Sequence, residues 1–204
     1  MSKRVFQKDS FISTNQQKVL SLLAKFSDQE LHEREIARKI GISYGSANKV
    51  LNDLAHDGLL LRRQVGKMLF YSFYQSDPIF KPFKIFISIA LLRPLIDKLR
   101  SVASEVVLYG SCARGEDTSR SDVDLFVVSE EKEEAQRLIR GHRFLKGFEH
   151  LKIEPVILTP VEMLKSEKDD REFVSLVREG IVLWDRTRDE AGIQRLFEPL
   201  FTAG

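Results

Sequence analysis

Residues 105–128 read EVVLYGSCARGEDTSRSDVDLFVV, and this stretch decides the fold of the second half of the chain. Four of its first five residues are apolar or aromatic and two of these are valines, which predicts a short buried strand that runs directly into Gly110 and Ser111. After ten further residues the sequence Asp-Val-Asp at 122–124 opens another apolar run, which predicts a second strand. The stretch therefore has two strands joined by a polar spacer, with a Gly-Ser pair before the spacer and two aspartates after it.

The two aspartates of this stretch point to a bound cation. Asp122 and Asp124 are expected on one face of the second strand, because side chains two residues apart in a strand point the same way. Two carboxylates held this close repel each other and lose hydration unless a cation lies between them. Mg²⁺ is the natural cation, since it takes one or two carboxylates together with phosphate oxygens of a substrate. Gly110 lets the backbone approach a ligand closely, and a helix start after it offers N–H groups to phosphate.

The Gly-Ser pair, the spacer and the Asp-x-Asp motif together resemble the nucleotidyltransferase superfamily typified by DNA polymerase β, and above all its minimal members. The resemblance implies an α+β domain over residues 101–204, a mixed β-sheet with helices. It also implies that Asp122 and Asp124 hold two Mg²⁺ ions. Gly110 and Ser111 would hold the β- and γ-phosphates of a nucleoside triphosphate. An acceptor hydroxyl would attack the α-phosphate in line and release pyrophosphate.

A third carboxylate stands on a later strand in that family, and the candidate here is Glu154, where the family usually has Asp. The resemblance implies that Glu154 joins the two aspartates at the ion that activates the attacking group. Glutamate is one methylene longer than aspartate, and three outcomes stay open: the metal is displaced, catalysis is weaker, or the longer side chain is tolerated. Pro155 cannot donate a hydrogen bond to a neighbouring strand, which predicts an edge strand or a bulge. Two arginines of the spacer, Arg114 and Arg120, are candidates for phosphate contact. The alternative, with equal weight, is that they are ordinary charged residues of the surface.

Charge is distributed unequally along the chain. Residues 1–100 contain 17 Lys and Arg against 9 Asp and Glu, whereas residues 101–204 contain 15 against 21. Such a split suggests an N-terminal half that faces a polyanion. The single Cys112 excludes an intrachain disulfide, and the most apolar stretch, residues 83–92, is shorter than the about 20 residues that cross a bilayer. We therefore expect no membrane partner and a cytoplasmic location.

The basic half shows three helical patterns and a β-hairpin. In chain order these are residues 15–26, 32–40 and 43–56 for the helices, and 59–65 and 68–74 for the strands of the hairpin. This order resembles the winged helix-turn-helix family over residues 10–76, so residues 1–77 are a predicted DNA-binding domain.

In that family the helix after the turn enters the major groove and the hairpin, or wing, contacts the DNA backbone. The candidates for contact with duplex DNA, carried over by position, are Tyr44, Ser46, Asn48, Lys49 and Asn52 on the helix, and Arg62, Arg63 and Lys67 on the wing. The alternative is a winged domain that serves only dimerisation or protein contact.

A dense apolar segment, residues 78–100, is predicted to link the two domains. Pro94 should end one helix at about Arg93, with a further turn after it. A segment this apolar must be buried, either between the domains or against a second copy in a homodimer.

Two functions fit the sequence. The first is an Mg²⁺-dependent nucleotidyltransferase, with a DNA-binding module and an acceptor that is a small molecule, a protein hydroxyl or a nucleic-acid end. The second is a DNA-binding transcriptional regulator or antitoxin-like protein whose nucleotidyltransferase domain binds nucleotide without turnover.

Overall fold

The computed structural model describes residues 11–188, except the side chain of Glu167, and shows a mixed α+β chain with two small sheets. The outer parts of the two predicted domains, residues 1–10 and 189–204, lie outside the described residues. The elements are, in chain order, α1 (Asn15–Lys25), β1 (Leu31–His32), α2 (Glu33–Ile40), α3 (Tyr44–His56), β2 (Leu60–Val65), β3 (Met68–Phe73), α4 (Phe80–Leu99), β4 (Ala103–Leu108), α5 (Gly110–Arg114), β5 (Val123–Ser129), α6 (Lys132–Arg140), β6 (Ile153–Leu158), α7 (Pro160–Asp169), α8 (Arg171–Arg178) and β7 (Ile181–Asp185).

The three helices and the hairpin predicted for the basic half are confirmed, and each begins or ends where the sequence provides a cap. Thr14 begins α1 through a capping box with Gln17. Gly41 ends α2 with a left-handed φ of 71°, and the Ser43 hydroxyl accepts a hydrogen bond from the Ser46 N–H at the start of α3. The short strand β1 was not predicted, and it adds to the hairpin in a sheet of order β1-β3-β2.

One core lies beneath these N-terminal elements. Its fully buried members come from all three helices and from β3, and they include Val19, Leu22, Leu23, Ile36, Ala47, Leu51, Leu54 and Tyr71. The helical spacing of the apolar residues therefore marks the faces that pack inward.

The prediction that a helix ends at about Arg93 is wrong. Helix α4 runs without a break from Phe80 to Leu99 and contains Pro94. An internal proline costs a helix about 3 kcal/mol. Leu92 and Leu95, on either side of it, are 1% and 0% exposed, and burial of one leucine side chain stabilises by about 1.5–3 kcal/mol. Burial of the flanking leucines offsets the cost of the proline.

The second sheet has the strand order β6-β5-β4-β7, and β4 pairs antiparallel with both of its neighbours. Pro155 lies on β6, an edge strand, as its missing N–H predicts. Val107, Tyr109, Phe126 and Val128 form a core on one face of this sheet with Val177 of α8. The two strands predicted within residues 105–128 are β4 and β5, and they are adjacent in this sheet.

The described chain forms two compact units. The first contains residues 11–94, Ser111–Val123 and Arg143–Lys152, and the second contains Leu95–Gly110, Asp124–His142 and residues 153–188. This partition interleaves the chain, whereas the predicted domains 1–77, 78–100 and 101–204 are consecutive segments. Their functional division stays a prediction. Among the described helices, none is long and apolar enough to cross a membrane.

Candidate nucleotide and metal site

The Asp124 carboxylate lies against the backbone of Gly110, at the point where β4 passes into α5. Gly110 has a φ of +69°, and a Cβ atom built on it would lie 2.1 Å from Asp124 Oδ2. A side chain at position 110 would therefore force the Asp124 carboxylate to move, and the positive φ disfavours any residue other than glycine. Glycine at position 110 therefore allows a strand-end carboxylate to approach the main chain directly.

Tyr109 fixes the other side of Asp124, and the sequence analysis did not single it out. The Tyr109 N–H donates a hydrogen bond to the Asp124 carbonyl over 3.1 Å. Its ring is 8% exposed and packs edge-on against Phe173, with the ring centres 6.0 Å apart. Burial, and after it the charge of Asp124, raises the pKa of the Tyr109 hydroxyl. Antiparallel pairing of the two strands around the spacer was the signal that could have identified Tyr109, because it places Tyr109 opposite Asp124.

The Asp-Val-Asp sequence has the alternating exposure of a strand that begins at the surface. Asp122 is exposed, Val123 is buried and Asp124 is half-buried, and the common face of the two carboxylates stays a prediction. Cys112 Sγ donates a hydrogen bond to the Asp122 carbonyl over 3.6 Å. The Val123 N–H donates to the carbonyl of Lys152 over 2.8 Å. Backbone contacts thus position this segment.

Two of the predicted phosphate-binding side chains lie in the spacer and are exposed. Arg114 Nε is 3.0 Å from Glu116 Oε2, and Lys81 Nζ is 2.8 Å from Glu116 Oε1. Hydrogen bonds from Lys81, and after it from Arg114, lower the pKa of the Glu116 carboxyl. Arg120 is exposed at the surface. Ser111 is half-buried on α5, and its carbonyl accepts a hydrogen bond from the Glu116 N–H over 2.9 Å.

Glu154, the predicted third carboxylate, is exposed on the edge strand β6. Within residues 11–188 no three His, Cys, Asp or Glu side chains form a group that could hold a metal ion. The residues present fit Mg²⁺ in another way. Two carboxylates are the donor set that Mg²⁺ takes when substrate phosphates supply further oxygens.

The predicted DNA-contacting residues of α3 form a polar network. Tyr44 Oη and Asn48 Nδ2 both donate hydrogen bonds to the buried Glu33 carboxylate, the latter over 3.1 Å. Asn52 Nδ2 donates to the Asn48 carbonyl over 2.9 Å, and Arg62 Nη1 of the hairpin donates to Asn52 Oδ1 over 3.2 Å. The network connects α2, α3 and the hairpin of β2 and β3.

The remaining candidates for DNA contact differ in how available they are. Lys49 and Lys67 are exposed, and Ser46 is half-buried in the first turn of α3. Arg63 is exposed but paired, because its Nε donates to Glu30 Oε2 over 2.7 Å. A phosphate that bound Arg63 would compete with this carboxylate.

Comparisons with known proteins address the second half of the chain. Residues 91–180 match the family model of the nucleotidyltransferase domain. A solved structure of a candidate nucleotidyltransferase from Sulfolobus solfataricus is 20% identical, covers 52% of this chain and 88% of its own, and superposes with a TM-score of 0.35. No curated protein sequence matches the chain.

Proposed function

We propose, from the nucleotidyltransferase domain at residues 91–180, that the chain transfers a nucleoside monophosphate from a nucleoside triphosphate to an acceptor hydroxyl in an Mg²⁺-dependent reaction. The observation that carries the proposal is the contact between the Asp124 carboxylate and the Gly110 backbone. A site for a metal-bound phosphate needs main chain that the phosphate can approach and a carboxylate for the metal. Gly110 and Asp124 bring the two together at the end of a strand.

Each residue of the motif has a task in this proposal. Asp122 and Asp124 would hold Mg²⁺, which supplies positive charge to the triphosphate oxygens as their charge grows. Gly110 and Ser111 bind and orient the β- and γ-phosphates, so that the bond from the α-phosphorus to its leaving oxygen points away from the acceptor. Tyr109 holds the Asp124 backbone in place. The acceptor oxygen bonds to the α-phosphorus and gives up its proton to solvent, while the bond from the α-phosphorus to its leaving oxygen breaks and pyrophosphate leaves.

The N-terminal half supplies a DNA-binding module in this proposal. Its support is the excess of Lys and Arg over Asp and Glu in residues 1–100 and the exposure of Lys49 and Lys67. Lysines and arginines on α3 and the wing would neutralise phosphates, which gives affinity and a strong salt dependence. Sequence preference would come from side chains of α3 that reach base edges.

The test replaces Asp122 and Asp124 with Asn, singly, because Asn keeps the shape of the side chain and removes its charge. Binding of Mg²⁺-ATP is measured by calorimetry, and pyrophosphate release is measured with all four triphosphates and a cell lysate as the source of acceptor. Each variant should lose metal-dependent binding and keep its thermal unfolding midpoint. Glu130→Gln is the matched control, because Glu130 is an exposed carboxylate after β5. Parental binding of Mg²⁺-ATP in Asp124→Asn would refute the site.

A second function is favoured by one observation, the exposed Glu154 on the edge strand β6, at the position where the nucleotidyltransferase superfamily usually has Asp. A site whose third carboxylate departs from the usual residue could bind nucleotide and not turn it over, as a regulator of transcription or an antitoxin-like protein would. Pyrophosphate release that is lost in Asp124→Asn supports the enzyme. DNA binding that changes with nucleotide, without turnover in lysate, supports the regulator.

A further inference from the structure

Three charged side chains are buried together in the first compact unit. Lys25 Nζ, at the end of α1, lies 2.7 Å from Asp117 Oδ2, and Lys84 Nζ of α4 lies 3.5 Å from Asp117 Oδ1. Their exposed fractions are 1%, 2% and 1% for Lys25, Lys84 and Asp117. Asp117 belongs to the spacer between the Gly-Ser pair and the two aspartates, so the cluster ties that spacer to two helices.

The cluster contains two cations and one carboxylate, and both ammonium groups also donate hydrogen bonds to neutral partners. Lys25 Nζ also donates to Ser88 Oγ over 2.7 Å, while Lys84 Nζ donates to the Asp117 carbonyl and to Ser27 Oγ. Burial is the main cause that lowers the pKa of the Lys84 ammonium. Replacement of a buried ion pair by well-packed apolar residues is often neutral or stabilising, so a gain in stability does not by itself explain this cluster. The geometry specified here is the position of Asp117.

Contacts on either side of Asp117 hold the spacer to the same helices. Gly115 lies so close to α4 that a Cβ on it would be 2.5 Å from the Lys81 carbonyl oxygen. Ser119 donates from its N–H and its hydroxyl to the Asp28 carboxylate, over 3.0 and 2.9 Å. Gln29 Nε2 donates to Ser119 Oγ over 2.7 Å. The spacer is therefore anchored to α4 and to the loop after α1.

The anchored spacer is connected by hydrogen bonds to both of the motif residues that flank it. The Glu116 N–H, next to Asp117, donates to the Ser111 carbonyl over 2.9 Å. Cys112 Sγ donates to the Asp122 carbonyl over 3.6 Å. We therefore expect a displacement of Asp117 to disturb Ser111 through Glu116 and to affect Asp122 through the chain of the spacer.

We propose that Lys25 and Lys84 are positioning residues for nucleotide binding, which hold Asp117 so that the spacer presents Ser111 to phosphate and Asp122 to the metal-bound triphosphate. The inference rests on the proposed function and deepens it, because it makes helices α1 and α4 necessary for the nucleotide site. By linkage, a nucleotide that requires the anchored spacer stabilises the anchoring contacts in return.

Because the cluster has two cations and one carboxylate, either lysine can be replaced without leaving Asp117 unpaired. Lys25→Met removes one of two cations and leaves Lys84 with Asp117 as a balanced pair, so the variant is expected to fold. Lys84→Met likewise leaves the 2.7 Å pair of Lys25 and Asp117. Lys18→Met is the matched control, because Lys18 is on α1 and has no ion pair within the described residues. Asp28→Asn is a second, exposed variant that weakens the Ser119 contact without entering the cluster.

Two measurements are made on each full-length variant: the Kd for Mg²⁺-ATP and the hydrogen exchange of the amides of residues 115–121. Lys25→Met should raise the Kd by about 10- to 100-fold, the range seen when a partner behind a ligating group is removed. It should also speed exchange in the spacer while α6 keeps parental exchange. Lys84→Met and Asp28→Asn should act in the same direction, and Lys18→Met should bind within about twofold of the parent.

Parental affinity in both lysine variants would overturn the inference, whether or not exchange in the spacer becomes faster. So would a loss of affinity without faster exchange in the spacer, because the spacer would then not be the link. Asp124→Asn separates this failure from that of the proposed function. If Asp124→Asn binds Mg²⁺-ATP like the parent, the proposed function fails. If it loses binding and the lysine variants do not, only the positioning role fails.

Discussion

Gly110→Ala tests the contact between the Gly110 backbone and the Asp124 carboxylate. The substitution has two costs. An alanine in the left-handed region costs about 1–2 kcal/mol, which in a chain of this size lowers the unfolding midpoint by about 2–8 °C. The new Cβ would also stand 2.1 Å from Asp124 Oδ2, against 3.4 Å for the start of ordinary van der Waals contact. The carboxylate must therefore move by about 1 Å, and a displacement of that size can cost about 100-fold in activity.

Gly58→Ala separates the two costs. Gly58 follows α3 with a φ of +78°, and a Cβ on it would have nothing within 4 Å. Its alanine variant should show the thermal cost alone and keep parental affinity for Mg²⁺-ATP. Gly110→Ala should show a thermal cost at least as large and weaken binding by about 100-fold. Differential scanning calorimetry and titration calorimetry measure the two quantities. The reasoning is refuted if both variants bind nucleotide like the parent.

Two further predictions concern other parts of the chain. Glu30→Gln releases Arg63 from its ion pair, so it should tighten duplex DNA binding and steepen the log–log salt dependence by up to about 0.9; an unchanged slope in filter-binding titrations would argue against contact between Arg63 and phosphate. The Thr159 N–H and Lys132 Nζ lower the pKa of the Glu162 carboxyl from 4.5 to about 2. Because the folded-state pKa is the lower one, the stability from Glu162 is present above about pH 4.5 and is lost as the pH falls towards 2. Urea unfolding between pH 6 and pH 2 should show a smaller acid loss in Glu162→Gln, and equal losses in both proteins would contradict the assignment.

The elements that the sequence predicted are those in which local pattern and tertiary packing agree. Apolar spacing along residues 15–56 identifies the buried helix faces because the same residues form the core. Pro94 predicts a helix end wrongly because proline reports only the local cost to a helix, whereas burial along its length stabilises α4. The two residues of β1 are too few for any periodic pattern.

The candidate site was predictable only where the chain carries a motif. The spacing of the motif identifies Gly110, Asp122 and Asp124. No sequence pattern near Asp117 predicts a buried ion pair. Lys84 offered a weak signal, because it is a charge inside an apolar run. Its partner lies 33 residues further on, and only the folded chain brings the two together.

The interleaved first unit has a consequence for synthesis on the ribosome. Residues 143–152 contribute to it, and there Gly147 packs so closely on α2 that a Cβ on it would lie 3.3 Å from the Lys39 carbonyl oxygen. This contact cannot form when synthesis has reached residue 94. The first unit is complete only after residue 152 has emerged from the ribosome. At about 5–20 residues per second, the nascent chain waits about 3–12 seconds with α1 and α2 incompletely covered. Chaperones that bind exposed apolar helices would have that interval in which to act.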